Sequence, residues 1–304
     1  MRELELVIIG GGPAGLTAGI YGSRAGLSTL ILEKAITGGQ MRLTGEIENF
    51  PGFLQISGAD FATKLHEQAS KDGAEIKVAE VKGIEVSDGK KIVKTKDESF
   101  LAKTIIIATG TSNKNLPIPG AEEFVGRGVS FCALCDAGFI RDEEVAVVGG
   151  GNSALEEADY LARFAKKVYV IHRRNEFRAV KAVEEKAKSN PKIEFLLSSE
   201  ATHIEGSDIV EKILVKDNKS GDVKTLKVGG VFMFVGKIPL TEFIPKEIKT
   251  IEGGWIVTDD KLQTSIPGIF AAGDVRDTEL RQVITAAADG ARAAMNAYHY
   301  LLEH

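Results

Sequence analysis

The sequence has only two cysteines, no long apolar run and no block of basic residues. No stretch approaches the roughly 18 apolar residues that span a bilayer, so we expect no membrane as a partner. The 38 Lys and Arg against 43 Asp and Glu give a net charge of −5, and nothing in the chain resembles the basic clusters that bind phosphate backbones. Nucleic acid is therefore not an expected partner either.

Neither end of the chain indicates export. The first residues leave no room for the basic and apolar regions of a secretory signal before the first predicted strand at 6–9, so we expect a cytoplasmic location. The last three residues, 302–304, resemble a truncated expression tag and are left out of the predicted fold.

Glycine, by contrast, is abundant, with 33 of 304 residues. It falls in clusters, which are typical of backbone that turns sharply or approaches a ligand. The 43% apolar and 27% charged residues are close to the average of globular proteins and exclude a disordered, collagenous or coiled-coil chain. The length suits two domains of roughly 100–200 residues each.

The first glycine cluster lies between the strand at 6–9 and a helix predicted over 13–25. A second strand over 28–32 follows and ends at Glu33. A G-x-G-x-x-G in this order is the fingerprint of a dinucleotide-binding fold, in which glycines admit the pyrophosphate and the helix N-terminus faces its charge. We predict that Glu33 accepts hydrogen bonds from ribose hydroxyls. The candidate contacts in the loop are Gly10, Gly12, Pro13, Ala14 and Gly15.

The same pattern returns at 149–154, between predicted strands at 145–148 and 167–171. Because 149 − 10 = 139 and 33 + 139 = 172, His172 takes the position of the acidic residue. Arginines surround it, and guanidinium groups bind phosphate in a bidentate way, so we expect the second fold to prefer NADP over NAD. The candidate contacts are Gly149, Gly151, Asn152, Ser153, Ala154, His172, Arg173, Arg174 and Arg178.

The two cysteines, Cys132 and Cys135, form a C-x-x-C. A structural zinc site needs four ligands, and no histidine lies close enough in sequence to complete one, so no metal is expected. A structural disulfide across so short a loop removes only about 2 kcal/mol of unfolded-state entropy. A lone C-x-x-C of this kind is mainly redox-active. Together with two dinucleotide folds, it suggests a flavoprotein that carries electrons from NADPH to a disulfide.

Stretches rich in proline or glycine divide the chain at 115–120 and at 237–246. Apolar strands at 104–110 and 268–274, with a helix from about 280 to 300, return to the first fold. We therefore predict an α/β protein of two Rossmann-like domains. The second domain, 116–245, carries the C-x-x-C and is inserted in a discontinuous first domain, 1–115 and 246–304.

Taken together, these motifs resemble those of low-molecular-weight thioredoxin reductases, over essentially the whole chain. The resemblance rests on residues 10–15, 38–40, 48–52, 132–136, 149–154, 172–174, 273–274 and 281–282. Two positions depart from the family pattern, which usually has Thr between the cysteines and Gly directly after the Asp. This chain has Leu134 and Ala137 there. Because the cysteines and the Asp remain, the departures concern the partner-facing surface and the redox potential.

The resemblance implies that the first domain carries FAD and the inserted domain binds NADPH. It matches Glu33 and Gln40 to adenosine-side and central contacts of FAD, and Asp274 to the residue that holds the ribitol chain. Gln282 and Val283 match a helix start that faces the flavin ring, where a positive helix end suits the charge of reduced flavin. Further candidate FAD contacts are Lys34, Gly38, Gly39, Asn49, Gly273 and Arg281.

The resemblance also implies a route for electrons, from NADPH through the flavin to a Cys132–Cys135 disulfide. In this family the second cysteine meets the flavin, so Cys135 would form the transient adduct and Cys132 would attack the external disulfide. Asp136 is placed to shuttle a proton to the leaving thiolate. The C-x-x-C and the NADP fold must both reach one flavin, so we expect the inserted domain to move.

The expected activity is that of a thioredoxin-disulfide reductase, with thioredoxin or a thioredoxin-like protein as partner and with the homodimer that is common in the family. Two alternatives stay open. One is an NADPH-dependent reductase of another thiol-disulfide protein, such as a glutaredoxin-like or peroxiredoxin-system partner. The other is a flavin-based redox-sensing module whose cysteines act as a switch.

Overall fold

The structure, a computed structural model, describes residues 1–44, 46–87, 89–114 and 117–304. It divides into two compact units, which are described separately. Unit 1 comprises Met1–Ser112 and Ile238–His304, and unit 2 comprises Asn113–Lys237. The predicted first boundary, between 115 and 116, lies outside the described residues.

The second boundary comes earlier than the predicted one near 245. Residues that follow Lys237 already pack in unit 1, because Leu240 exchanges hydrogen bonds with its Thr109–Gly110 turn. Phe243 and Ile244 join one of its apolar clusters. The proline-rich stretch at 237–246 is therefore largely part of unit 1 rather than a linker.

The strands are numbered in chain order. They are β1 (Arg2–Ile9), β2 (Thr29–Glu33), β3 (Glu75–Val78), β4 (Val81–Ser87), β5 (Lys90–Thr95), β6 (Ser99–Ile107), β7 (Thr111–Asn113), β8 (Val129–Ser130), β9 (Glu144–Gly149), β10 (Lys167–His172), β11 (Ile193–Leu197), β12 (Ser199–Gly206), β13 (Val210–Asp217), β14 (Val223–Lys227), β15 (Gly230–Phe234), β16 (Lys237–Pro239) and β17 (Ile269–Ala271).

The helices are α1 (Pro13–Arg24), α2 (Gly58–Lys71), α3 (Ala133–Asp136), α4 (Asn152–Leu161), α5 (Lys181–Ser189) and α6 (Val283–Glu303). Short 3-10 turns cover Gly39–Leu43, Ala137–Ile140 and Gly273–Val275. In the part of the chain that the structure describes, no helix combines the length and the apolar character of a membrane span.

The sheet of unit 1 has the order β3-β2-β1-β6-β5-β4, and β6 also pairs with β17. Its β3, β2, β1, β6 and β17 are parallel, while β4 and β5 add an antiparallel ribbon. Alternate side chains of β1 enter different cores, because successive residues of a strand point to opposite faces. Ile8 packs with α1 and α6, and Val7 and Ile9 pack with the face that carries the β4–β5 ribbon.

Unit 2 repeats this plan in a fully parallel sheet of order β11-β10-β9-β15-β8. One face packs against α4 and α5, and the other packs against an antiparallel sheet of order β12-β13-β14. The predicted α/β class, with one Rossmann-like fold inserted in another, is confirmed.

The predicted helix ends differ by a few residues from the observed ones. The last helix begins at Val283 rather than near 280, because Gln282 and Thr285 form a reciprocal capping box at its start. It continues through Leu302 to Glu303, and the ring of His304 stacks on Tyr300 with centroids 4.2 Å apart. The three C-terminal residues thus extend the fold of unit 1.

Candidate functional site

The first glycine loop joins β1 to α1 in unit 1. Gly10 has φ +106°, and a Cβ there would lie 2.4 Å from the Ala108 carbonyl oxygen. A Cβ on Gly15 would lie 1.8 Å from the Gly10 carbonyl oxygen. A Cβ on Gly12, however, would meet no atom within 4 Å, so Gly12 faces open space where a ligand can approach the backbone. Pro13 and Ala14 begin α1, and Ala14 is buried.

Glu33 closes this loop from the end of β2. One oxygen of its carboxylate accepts the Gly11 N–H at 2.7 Å, and the other accepts the Ala35 N–H at 3.2 Å. Glu33 and Lys34 also line a cleft of about 270 Å³. The cleft lies at the carboxyl ends of β1 and β2, where ligands bind in open α/β sheets. Its other lining residues are Ile9, Gly10, Leu32, Ala79, Glu80, Val81, Lys82, Thr109, Leu240, Glu242 and Phe243.

A second loop of unit 1 carries Gly38, Gly39 and Gln40. Gly38 has φ +117° and its N–H donates to the Gly11 carbonyl at 2.7 Å. A Cβ on Gly39 would lie 3.3 Å from the Cα of Gly12. The two glycine loops are therefore in contact, and Gln40 follows with an exposed side chain on the 3-10 turn.

Asn49 and Gln282 meet although 233 residues separate them. The Asn49 amide donates to Gln282 Oε1 at 3.1 Å. Gln282 is the N-cap of α6 and Val283 is its first residue. This pairing brings two residues that were predicted separately to one place, at a helix N-terminus that favours negative charge.

The turn at Gly273–Asp274 lies between β17 and α6. Gly273 has φ +73°, and a Cβ there would lie 3.0 Å from Ala14 Cβ, so this turn packs on the start of α1. Arg281 places its guanidinium carbon 4.0 Å from the Trp255 ring centroid. Burial lowers the pKa of Arg281, whereas the carboxylates of Asp274 and Asp277 raise it.

The loop between β9 and α4 repeats the first loop in unit 2. Gly149 has φ +156°, and a Cβ there would lie 2.5 Å from the Phe234 carbonyl oxygen. A Cβ on Gly151 would meet no atom within 4 Å, as at Gly12. Asn152, Ser153 and Ala154 start the helix, and Asn152 Oδ1 accepts the Val180 N–H at 2.8 Å.

His172 lies beneath this loop, at the end of β10. A Cβ on Gly150 would lie 2.3 Å from the His172 ring, and only 6% of the residue is exposed. Its Nε2 donates to the Glu176 carbonyl at 3.1 Å. Burial lowers the pKa of His172, and the charges of Arg178, Arg174 and Arg173 lower it further, against the hydrogen bond to Glu176.

The segment that follows β10 carries three arginines, here called the arginine corner, whose side chains are exposed to solvent. Arg173, Arg174 and Arg178 are exposed, and the ion pairs found among the described residues involve none of them. The Arg178 N–H donates to the Gly150 carbonyl at 2.8 Å, which ties the arginine segment to the glycine loop. Such guanidinium groups are suited to a phosphate.

The redox turn follows β8 in unit 2. Cys132 and Cys135 form a disulfide with Cα atoms 5.3 Å apart. Cys132 caps α3, and the Cys135 N–H points to Cys132 Sγ at 3.2 Å. Among the described residues, no group of three His, Cys, Asp or Glu side chains could hold a metal ion.

Asp136 ends the same helical turn and is half-buried. Burial raises the pKa of its carboxyl group, and a hydrogen bond from Ser130 opposes this effect. A carboxyl group with a raised pKa beside a disulfide can supply a proton to a leaving thiolate. Because β8, β15 and β9 run parallel, the redox turn and the second glycine loop lie at the same edge of the unit 2 sheet.

Several residues of these sites were not predicted from the sequence. The outer glycines were predicted, but not Gly11 and Gly150, against which Glu33 and His172 pack. Ser130 was not predicted either, although it lies two residues before the C-x-x-C. The lining residues from 79–82 and 240–243 carry no motif and could not be recognised.

Both glycine loops fit a dinucleotide. Gly12 and Gly151 leave space at the start of a helix, and each loop is followed by a corner of distinct charge: carboxylate in unit 1 and guanidinium in unit 2. FAD with free ribose hydroxyls suits the first corner, and NADPH with its 2′-phosphate suits the second.

The chain is similar to known thioredoxin reductases over nearly its full length. The enzyme of Bacillus subtilis (strain 168) is 44% identical over 302 residues, 98% of this chain and 95% of that protein. The enzyme of Peptoclostridium acidaminophilum is 42% identical over 304 residues, 98% of this chain and 96% of that protein. The crystal structure of thioredoxin reductase from Streptococcus pyogenes MGAS5005 has 47% identity and a TM-score of 0.96, covering 100% of this chain and 99% of that one.

These comparisons confirm the resemblance and the oxidoreductase class that were inferred from the sequence. A family model for pyridine nucleotide-disulphide oxidoreductases matches residues 4–290. This chain therefore belongs to the pyridine nucleotide-disulphide oxidoreductase family.

Proposed function

We propose that this chain is a thioredoxin reductase that passes electrons from NADPH, through FAD and the Cys132–Cys135 disulfide, to oxidised thioredoxin. The observation that carries the proposal is the combination of a C-x-x-C disulfide with two dinucleotide-type glycine loops in one chain. The family match and the names of the relatives support it.

FAD, when bound, accepts a hydride from NADPH and passes two electrons to the disulfide. In our proposal, unit 1 holds it. The open backbone at Gly12 would admit the pyrophosphate, and Glu33 would accept hydrogen bonds from the ribose. Asp274 would hold the ribitol chain, and the N-terminus of α6 at Gln282 would suit the charge of the reduced flavin. The closeness of these segments within unit 1 supports the assignment.

NADPH binds unit 2 in this proposal. Gly151 admits its pyrophosphate at the start of α4, and the exposed Arg173, Arg174 and Arg178 bind its 2′-phosphate. His172 is too buried to contact the nucleotide broadly, so we assign it to the support of Gly150 and of the arginine segment.

The disulfide then exchanges electrons with the partner. We infer from the family resemblance that Cys135 receives electrons from the cofactor and that Cys132 attacks the disulfide of thioredoxin. Asp136 donates a proton to the leaving thiolate. The raised pKa of its half-buried carboxyl supports this role, because an acid must hold its proton until the thiolate forms.

A coupled assay tests the activity. Holoenzyme with oxidised thioredoxin should oxidise NADPH catalytically, and Cys132→Ser and Cys135→Ser should both abolish this turnover. Cys135→Ser should retain Cys132 as the attacking thiol and trap thioredoxin as a stable mixed disulfide. Trapping by Cys132→Ser instead would reverse the assignment of the cysteines.

The same assay separates the alternatives. Turnover with a glutaredoxin-like or peroxiredoxin-system protein, but not with thioredoxin, would identify another disulfide substrate. A single reduction of the flavin and the cysteines without turnover on any of these proteins would favour a redox-sensing module. We further propose a homodimer in the cytoplasm. Sedimentation equilibrium of the holoenzyme should then give twice the chain mass of 32.6 kDa.

Coenzyme choice tests the arginine corner. Replacing Arg173 and Arg174 by Gln should raise the KM for NADPH and change that for NADH much less. Each lost charge-assisted hydrogen bond is worth about 1.5–3 kcal/mol. Arg141→Gln with Arg163→Gln, two exposed arginines of the same unit, is the control for net charge. Equal losses in the two double variants would refute a specific phosphate site.

A further inference from the structure

We propose that Ser130 is a positioning residue for the acid of the redox turn, whose hydroxyl holds Asp136 beside the disulfide. The inference deepens the proposed function, since it rests on Asp136 as the proton donor. Ser130 is 7% exposed, so its hydroxyl contacts the protein rather than solvent.

The sheet of unit 2 fixes the backbone of Ser130. Strand β8 has only two residues, and both pair with β15: Val129 with Val231 and Ser130 with Phe232. Val129 and Phe232 are themselves buried. The side chain of Ser130 therefore starts from a rigid edge of the sheet, immediately before the redox turn.

The Ser130 hydroxyl joins both ends of that turn. It accepts the Cys132 N–H at 3.0 Å and donates to Asp136 Oδ2. The Cys132 carbonyl oxygen lies 3.2 Å from the same hydroxyl and also accepts the Asp136 N–H at 3.2 Å. One buried hydroxyl thus ties the first cysteine and the acid to the strand.

A hydroxyl can serve both protonation states of the acid, because it has one proton and two lone pairs. While Asp136 is ionised, Ser130 donates to its carboxylate. When Asp136 is protonated, Ser130 can accept from it and turn its own proton to the Cys132 carbonyl. A backbone N–H would favour only the anion, so this arrangement suits a group that must gain and lose a proton in each cycle.

The chemical step balances with this donor. Reduction breaks the Cys132–Cys135 bond and adds the two electrons and one proton of the hydride that the activity draws from NADPH. The hydride's proton goes to the Cys135 sulfur or to solvent, and the Cys132 sulfur leaves as a thiolate. The Asp136 carboxyl gives its proton to the leaving thiolate of Cys132 and becomes a carboxylate, which solvent reprotonates. Ser130 neither gains nor loses a proton overall.

Titratable groups also lie on the elements that pack against the redox turn. The two cysteines share this turn, and α4, the helix packed against it, carries Glu156, Glu157, Asp159 and Tyr160. Strands β8 and β15 consist of uncharged residues. The hydrogen bond from Ser130 lowers the pKa of Asp136 while burial raises it, so loss of the hydroxyl should raise that pKa further.

The test follows flavin reduction and thiol formation in the holoenzyme after NADPH is added. Flavin absorbance reports flavin reduction. Acid quenching, then alkylation with a maleimide and mass spectrometry, counts the thiols at Cys132 and Cys135. In Ser130→Ala, flavin reduction should stay within about twofold of wild type. Thiol formation should slow about 10–100-fold, the order of effect that misplacing a reacting group produces. In the pH profile of the rate of thiol formation, the alkaline limb should move to higher pH, because loss of the hydroxyl raises the pKa of Asp136.

Two further variants keep the test sharp. Ser130→Thr retains the hydroxyl and should restore thiol formation to within about threefold of wild type. In an Asp136→Asn background, Ser130→Ala should change the rate by less than about twofold, because residues that act through one another are not additive. Additive losses in this pair, or a Thr variant as slow as Ala, would overturn the positioning role.

This test of Ser130 can fail or succeed independently of the proposed thioredoxin reduction. Thiol counting needs no protein substrate, so it remains informative if wild type fails to reduce thioredoxin. Failure of that reduction would refute the proposed partner alone. Normal thiol formation in Ser130→Ala, with an unshifted pH profile, would refute Ser130 alone.

Discussion

A buried ion pair beneath the Gly273–Asp274 turn offers a prediction in which two physical rules give opposite signs. Asp289, on α6, is 9% exposed. Its Oδ2 accepts the Gly273 N–H at 3.1 Å and the Arg276 Nε–H at 3.0 Å, and it lies 3.0 Å from Arg276 Nη2. Arg276 Nη1 in turn donates to Thr258 Oγ1 at 2.6 Å.

Asp289→Ala should be stabilising by helix propensity alone, by up to about 0.7 kcal/mol. The ion pair predicts the reverse. The side chains of Asp289 and Arg276 are 12% and 13% exposed, and removal of one partner from a buried pair costs about 3–5 kcal/mol. The expected net effect is therefore a loss of about 2–4 kcal/mol.

The single tryptophan makes this loss measurable in unit 1 alone. Trp255 lies in that unit, so its fluorescence during urea unfolding of the apoprotein reports the unit that contains Asp289. Arg276→Met with Asp289→Ala should lose less than the sum of the single variants, because the second change removes the charge that the first leaves unpaired. Glu279→Ala, an exposed carboxylate of the same loop, should stay within about 0.5 kcal/mol of wild type.

The assay also has a functional arm. Because Asp289 accepts the Gly273 N–H, Asp289→Ala should weaken FAD retention. Equilibrium dialysis without urea, at a temperature where both proteins are folded, measures this retention. An Asp289→Ala protein as stable as wild type would refute the reasoning, since helix propensity would then outweigh the pair.

Three further outcomes follow from the packing. Gly12→Val should lower FAD affinity and Gly151→Val should lower NADPH affinity, each by about 1–3 kcal/mol. Both apoproteins should melt near the wild-type temperature, because no protein atom lies within 4 Å of either new Cβ. Calorimetric titration of both ligands on both variants makes each variant the control of the other. The stability of unit 2, followed by amide hydrogen exchange, should fall as pH drops from about 6.5 towards the lowered folded-state pKa of His172, because the unfolded chain then binds the proton more tightly. His172→Gln should remove this pH dependence, and His203→Gln, at an exposed histidine, should retain it. Gly290→Ala should destabilise unit 1 by about 1–3 kcal/mol despite its better helix propensity, because the new Cβ would lie 2.1 Å from a backbone oxygen of α1; a raised urea midpoint would contradict this.

The sequence predicted the elements that local patterns encode. The strands before Gly10 and Gly149, the helices after them and the α/β class follow from apolar runs and glycine spacing. The Cys132–Cys135 disulfide, which the family resemblance implied, joins two cysteines three residues apart in the chain. These features depend on neighbours in sequence.

Features that depend on distant neighbours were not predictable in the same way. The boundary at Lys237 depends on hydrogen bonds between Leu240 and the turn at Thr109. The role of Asp289 depends on a turn 16 residues earlier in the chain. Neither has a local motif, since long-range pairing is decided by packing rather than by pattern.

The two glycine loops also explain how one repeated fold can serve two different nucleotides. In each loop the middle glycine makes room for the corner residue: a Cβ on Gly11 would lie 3.1 Å from Glu33 Cβ, and one on Gly150 would lie 2.3 Å from the His172 ring. In unit 1 the corner residue itself carries the charge that a ribose hydroxyl can meet. In unit 2 the corner residue is His172, which is buried, and burial lowers its pKa and so favours the neutral ring. The positive charge is carried instead by the exposed arginines of the segment that follows it. Exchange of the corner residue alone should therefore not exchange the nucleotides, because the arginines that we propose for the 2′-phosphate lie outside that position.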